Sequence, residues 1–254
     1  MLSAKRKSDG TIVTAYFESK RNAPFLCIDC NEEVVLKSGR HRVDHFAHAN
    51  PVACKFAVGE SDLHRDCKKQ IFESLDREPG VRAALERSFG EMRPDIFAII
   101  NGTRVAIEVQ ISSLSIETIT RRTIQYAQNG IHVLWLLQWT PELDSQRYTP
   151  KVWERWVHST YFGQVYYWIE GITVVSYSFE PHFKIVPKTS WYSKGGKRMT
   201  AGGYTQQSKR YCVPVRGETL NLVSDFRGQQ RYWLEANGFK LPDAKLFIHT
   251  SSRN

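Results

Sequence analysis

The sequence lacks any apolar run approaching the roughly 20 residues that a membrane helix requires. Its first ten residues, Met1 to Gly10, are basic and polar with no apolar segment, so no secretory leader is expected. Sulfur is scarce. Five cysteines, Cys27, Cys30, Cys54, Cys67 and Cys212, are an odd number, and without a leader they argue against a disulfide framework. Cys67 and Cys212 have no cysteine or histidine at ligand spacing and are expected to be ordinary thiols. A soluble, cytoplasmic protein with no membrane partner follows. One stretch is also without acid: residues 181–217 contain no aspartate or glutamate.

What is present bounds the rest. The 254 residues, 41% of them hydrophobic, suffice for a packed core in one large or several small domains. Net charge is +9 and unevenly spread: +3 over residues 1–57, −1 over 58–140 and +7 over 141–254. A neutral middle with basic flanks fits a polyanionic partner, and DNA is the expected one.

The first segment reads as short strands: Gly10 to Phe17, a second strand running into Cys27, and Val34 to Lys37 with a turn at Ser38-Gly39. Cys27-Ile28-Asp29-Cys30 is a C-x2-C knuckle that can curl onto one ion. Tetrahedral zinc needs two more ligands from His45, His48 and Cys54. His48 is preferred as the third and His45 as the fourth, with Cys54 as the alternative. Such zinc is structural, because the segment is too small to build much core.

In the middle, Glu60 to Leu75 has helical spacing, with Leu63, Cys67, Ile71 and Leu75 on one stripe and Glu60, His64 and Lys68 on an adjoining face. Pro79-Gly80 ends it. Two apolar runs then flank Asn101-Gly102, the signal for a two-residue type I′ hairpin. In that register Ile100 pairs with Thr103 and Asp95 falls opposite Glu108, with Gln110 on the same face. Two carboxylates held together in an apolar sheet are costly without a counter-charge, and Mg²⁺ or Mn²⁺ would supply it. Ser115 is the expected cap of a second helix carrying Arg121, Arg122 and Tyr126 and ended by Gly130. Ile131 to Trp139 is a buried strand, and the tight helical connection favours a parallel crossover.

The last segment offers a helix over Lys151 to Phe162, a hairpin over Gln164 to Phe179 turning near Glu170-Gly171, and a closing helix over Asp225 to Asn237. In the acid-free stretch, Lys184, Lys188, Lys194, Lys197, Arg198, Lys209, Arg210 and Arg216 interleave with Trp191, Tyr192, Tyr204 and Tyr211. Basic side chains neutralise phosphates and aromatic faces stack on bases, so a mobile, glycine-bearing loop that contacts DNA is expected there.

Cys27-x2-Cys30, His45-Phe-Ala-His48 and Cys54, Glu60-Ser61-x2-His64-x3-Lys68, Arg93-Pro94-Asp95, Ile107-Glu108-Val109-Gln110-Ile111-Ser112, Arg122-x3-Tyr126 and Val133-Leu134-Trp135 occur in this order. In that order and spacing the chain resembles the CoiA-like competence protein family. The resemblance implies an α/β (α+β) fold: a PD-(D/E)xK restriction-endonuclease-like core over 58–140, a zinc-binding β segment over 1–57 before it, and a basic, aromatic-rich region over 141–254. It implies a metal-dependent DNA endonuclease acting in DNA processing, recombination, competence or phage defence. Asp95, Glu108 and the Val109 carbonyl would hold Mg²⁺, with Glu60 reaching it through water or a second ion. Gln110 would orient the attacking water, His64 or Lys68 would stabilise the developing charge, and Arg122 and Tyr126 would contact DNA. Gln110 departs from the usual lysine, and Lys68 is the candidate to replace its charge. The alternative is a weakly active or inactive DNA-binding scaffold with a nuclease fold, in a larger complex or a homo-oligomer.

Overall fold

A computed structural model describes residues 1–39, 42–54 and 59–249. The expected segment boundary at residues 57 and 58 lies outside the described residues. Among the described residues the fold is mixed α+β, mostly strand with three α-helices, and no helix is long and apolar enough to cross a membrane.

Five strands form the first sheet: β1 (Ser3–Arg6), β2 (Ile12–Thr14), β3 (Phe25–Leu26), β4 (Glu33–Gly39) and β5 (Arg42–His48), in the order β2-β1-β3-β4-β5. Its small core is Ala4, Ala15, Phe25, Cys27, Val34, Leu36 and Phe46. The strand expected over Gly10 to Phe17 is shorter. The chain leaves the sheet at buried Ala15, and Ala15–Phe17 form a turn of 3-10 helix.

The central elements are α1 (Asp62–Asp76), β6 (Arg82–Leu85), β7 (Ile96–Ile100), β8 (Thr103–Gln110), α2 (Ile116–Gln128) and β9 (His132–Gln138). Helix α1 starts one residue after Ser61, whose hydroxyl accepts the His64 amide, so Glu60 precedes the helix instead of belonging to it. Cys67, Ile71 and Leu75 are buried as the stripe requires, whereas Leu63 is 42% exposed. Asn101 and Gly102 adopt φ of 49° and 77°, the left-handed pair that a type I′ turn demands. The hairpin register runs from Ile100↔Thr103 to Ile96↔Ile107. Strand β9 pairs parallel with β8 and is buried from Val133 to Leu137, which suits a central strand covered on both faces.

The sheet does not stop at residue 140. After α3 (Val152–Thr160), β10 (Val165–Glu170) pairs parallel with β9, and β11 (Thr173–Val186) returns antiparallel to β10. Then come β12 (Thr189–Tyr192), β13 (Arg198–Ala201), β14 (Tyr204–Asn221), β15 (Phe226–Arg231), β16 (Leu234–Ala236), β17 (Phe239–Leu241) and β18 (Ala244–His249). The large sheet has the order β14-β11-β10-β9-β8-β7-β6, with β18 bridging to β9 and pairing with β15.

Two expectations fail here. Residues 181–217 are not an unpaired loop but a long β11–β14 ribbon, prolonged by β12 and β13. Glycine serves its geometry: Gly202 has φ of 82°, and a Cβ there would lie 2.0 Å from the Pro187 carbonyl oxygen. The helix expected over Asp225 to Asn237 is instead β15 and β16. Cross-strand pairing with β18 overrides the local pattern, and Gly228 packs so closely on His132 that a Cβ would meet its ring at 2.6 Å.

Candidate metal centre and carboxylate cleft

The knuckle is closed by local backbone bonds. Cys27 N–H donates to the Glu32 carbonyl at 2.8 Å, Asn31 N–H to the Cys27 carbonyl at 3.1 Å, and Asn31 takes a φ of 57°. Ligand atoms of Cys27, Cys30, His48 and Cys54 all lie within 4.8 Å of one another, and Cys30 Sγ is 3.3 Å from His48 Nε2. His45 is not among them. Three residues apart on β5, His45 and His48 point to opposite faces, and the His45 ring bonds to the Val43 carbonyl at 2.8 Å. Cys54 takes the fourth position. Burial pushes the Cys30 thiol up to about 11, with Cys27 and Cys54 adding to the effect. Three crowded thiols and an imidazole are a donor set that a soft tetrahedral cation would relieve, so the residues fit zinc.

The second group sits at a cleft of about 900 Å³ lined by Glu60, His64, Asp95, Val109, Gln110 and Arg122, among others. Ligand atoms of Glu60, His64 and Asp95 lie within 4.8 Å of one another. His64 Nδ1 is 3.3 Å from Glu60 Oε1 and its Nε2 is 3.2 Å from Asp95 Oδ2. Lys68, only 1% exposed, reaches Glu60 Oε1 at 2.5 Å, Glu86 Oε1 at 2.6 Å and Asp95 Oδ1 at 3.6 Å. Burial opposes charge on all of these groups, and the partners outweigh it. Lys68 is raised above its ordinary value, Glu60 and Asp95 are lowered, and Glu86 is held at about 2. Burial likewise opposes charge on His64, but hydrogen bonds to Asp95 and Glu60 raise it to about 9. A protonated imidazole thus stands between two carboxylates. Glu60 Oε2 pairs with the Met1 ammonium at 3.2 Å. With the imidazolium proton lost, the imidazole and the carboxylate oxygens of Glu60 and Asp95 together fit Mn²⁺ or Mg²⁺.

Glu108 takes a different position from the expected one. The ladder ends at Ile96↔Ile107, one residue short of Asp95 and Glu108, and the two carboxyl groups have different hydrogen-bond partners. Asp95 Oδ2 accepts the Val109 N–H at 2.9 Å. Glu108, 2% exposed, receives hydrogen bonds from Arg122 and the Tyr126 hydroxyl on α2. Burial pushes Glu108 up to about 7 against the pull of Arg122, with the Asp95 charge adding to the rise. Helix α2 is positioned by its Ser115 cap, which accepts the Thr118 amide at 3.1 Å, and Arg122 also lies over the Trp135 ring at 5.4 Å. Arg122 and Tyr126 therefore contact Glu108 directly. Gln110 turns its amide nitrogen to the Ser112 carbonyl at 2.5 Å.

Sequence reasoning missed Glu86, Arg93 and Asp29. Glu86, 3% exposed at a φ of 49°, bonds the Leu2 and Ser3 amides and pairs with Arg93 at 2.5 Å. Leu2, Ser3 and Lys68 are remote from it in sequence, so no local spacing announces it. The ribbon residues stand apart from both centres. Lys194, Lys197, Arg198, Lys209 and Arg210 are all exposed. Lys209 and Arg210 lie where β14 bulges opposite His182, with Ser208 Oγ accepting the Arg210 and Tyr211 amides at 3.2 and 2.9 Å.

Two family models match consecutive stretches: the N-terminal domain of competence protein CoiA over residues 13–57, and its nuclease-like domain over 60–162. The chain belongs to the CoiA-like family. Competence protein CoiA of Bacillus subtilis (strain 168) is 28% identical over 116 residues, 44% of this chain and 31% of that protein. This CoiA-like chain thus matches about a third of its curated relative's length. No solved structure matches it. The nuclease-like match begins at Glu60 and runs past α3, so it takes in Glu60, His64, Lys68, Asp95 and Arg122 of the cleft.

Proposed function

We propose that the chain is a metal-dependent deoxyribonuclease with a PD-(D/E)xK-type core, working in the DNA processing that accompanies competence. The observation that carries this reading is the convergence of Glu60, His64 and Asp95 at one cleft, inside the stretch that matches a nuclease-like domain. The order helix, antiparallel meander, helix and parallel strand supports it. A divalent cation held by Asp95 and Glu60 would polarise a scissile phosphate and lower the pKa of bound water. The residues themselves have separate tasks. Lys68, wholly enclosed, holds Glu60 and Asp95 ionised and in place. His64, part-exposed at the cleft, is the group that can give or take a proton there. Arg122 offers positive charge at the rim and steadies Glu108. The Cys27, Cys30, His48 and Cys54 cluster holds structural zinc, and the basic ribbon contacts DNA through phosphates and stacked bases.

The test offers linear, nicked, single-stranded and four-way junction DNA to the protein with Mg²⁺ or Mn²⁺. Cleavage abolished by Asp95→Asn, with DNA binding kept, is the expected result. Binding without cleavage under either metal instead supports a DNA-binding scaffold. That second reading is favoured by Gln110, which is turned to Ser112, and by the enclosure of Glu108 between Arg122 and Tyr126.

A further inference from the structure

The knuckle and the cleft are joined by an enclosed row of alternating charges. Asp29 lies inside the Cys27–Cys30 knuckle. Its carboxylate accepts a hydrogen bond from Arg93 NH1, and a weaker one from Ser88 Oγ at 3.4 Å. Arg93 NH2 donates to Glu86 Oε2 at 2.5 Å, and Lys68 Nζ donates to Glu86 Oε1 at 2.6 Å. Lys68 then reaches Glu60 and Asp95. Side-chain exposure along the row is 10% for Asp29, 4% for Arg93, 4% for Glu86 and 1% for Lys68. Water therefore has little access to compensate if a link is removed.

We propose that the metal-bound knuckle sets the position of Lys68, and through it Glu60 and Asp95, by way of Asp29, Arg93 and Glu86. Arg93 is the central positioning residue. Its planar guanidinium presents two separate nitrogens to two carboxylates on different elements, which a lysine cannot do. Asp29 has its place fixed by the cysteines on either side of it. The N-terminal segment is then part of the reactive centre's scaffold and not a separate DNA-reading finger. The catalytic significance of this linkage rests on the nuclease reading above, but the linkage itself does not.

The experiment uses the full chain and two variants, Asp29→Asn and Arg93→Lys, with bound zinc quantified in each. N-acetoxysuccinimide acylation is followed residue by residue by mass spectrometry, with part-exposed Lys69 as the internal reference. Lys68 in the unaltered protein should resist labelling. In either variant it should be acylated at least about tenfold faster, through the local opening that removal of an enclosed partner permits. The double variant should add little to the larger single effect, because both substitutions cut the same row. Mn²⁺ affinity, measured by calorimetry, should fall about 10–100-fold in the same variants, as for other residues that orient metal ligands. Should Asp29→Asn lose its zinc, Arg93→Lys carries the test alone. Lys68 labelling unchanged in zinc-loaded Arg93→Lys overturns the proposal. If the unaltered protein binds no Mn²⁺ and cleaves nothing, the nuclease reading fails while the labelling result still decides the linkage.

Discussion

The cleft and the ribbon use charge in opposite ways. At the cleft, Lys68, Glu60, Glu86, Asp95 and Arg93 are largely buried and locked to one another. Along the ribbon, eight basic residues are exposed on a stretch with no acid. Buried charge of the first kind holds geometry, and each group is costly to orphan. Exposed charge of the second kind contributes little to folding and remains available to a polyanion. One molecule therefore keeps its interlocked charges apart from its exposed ones.

Matched substitutions put that contrast at risk. Lys68→Met leaves three carboxylates facing each other and should destabilise the protein by about 3–5 kcal/mol in urea unfolding. Lys184→Met on the ribbon should stay within about 0.5 kcal/mol. Equal losses at the two positions would erase the distinction.

Cys54→Ser should purify with less than about half an equivalent of zinc and melt earlier, whereas His45→Ala should keep close to a full equivalent. The reverse pattern would restore the ligand set that the sequence alone suggests. Replacing Lys194, Lys197 and Arg198 together by alanine should weaken DNA binding. It should also flatten the salt dependence of that binding by about 0.7–0.9 for each phosphate no longer neutralised, with the melting temperature unchanged. A drop in melting without a change in salt slope would make the ribbon a folding element. At the helix that carries Arg122, Ser115→Ala should cost about 1 kcal/mol by removing the cap on α2.

Local signals were legible and remote ones were not. Asn101-Gly102 announced its hairpin and register, Ser115 its helix, and the apolar run at Ile131 its central strand, because each is specified by neighbours in sequence. The ribbon was hidden because long paired strands rich in glycine and polar residues carry no alternation to read. His45 misled because the ligand pattern was read without the strand on which it sits, where a separation of three reverses the face. Asp95 and Glu108 lie one residue beyond the last ladder pair, Ile96 with Ile107. Their carboxyl groups have different partners: the Val109 N–H for Asp95, and Arg122 and Tyr126 on α2 for Glu108. Lys68 was singled out from helical spacing, but its burial depends on Glu86, which lies on another element.

The nuclease reading depends on Glu60, His64 and Asp95 forming a divalent-cation site. Calorimetric titration of the zinc-loaded protein with Mn²⁺ probes that site without recourse to a DNA substrate, beside Asp95→Asn and Glu60→Gln. Saturable binding of about one Mn²⁺ per chain is expected, abolished in both variants while zinc is retained. Binding that persists undiminished in both variants, or is absent from the unaltered protein, would refute the site.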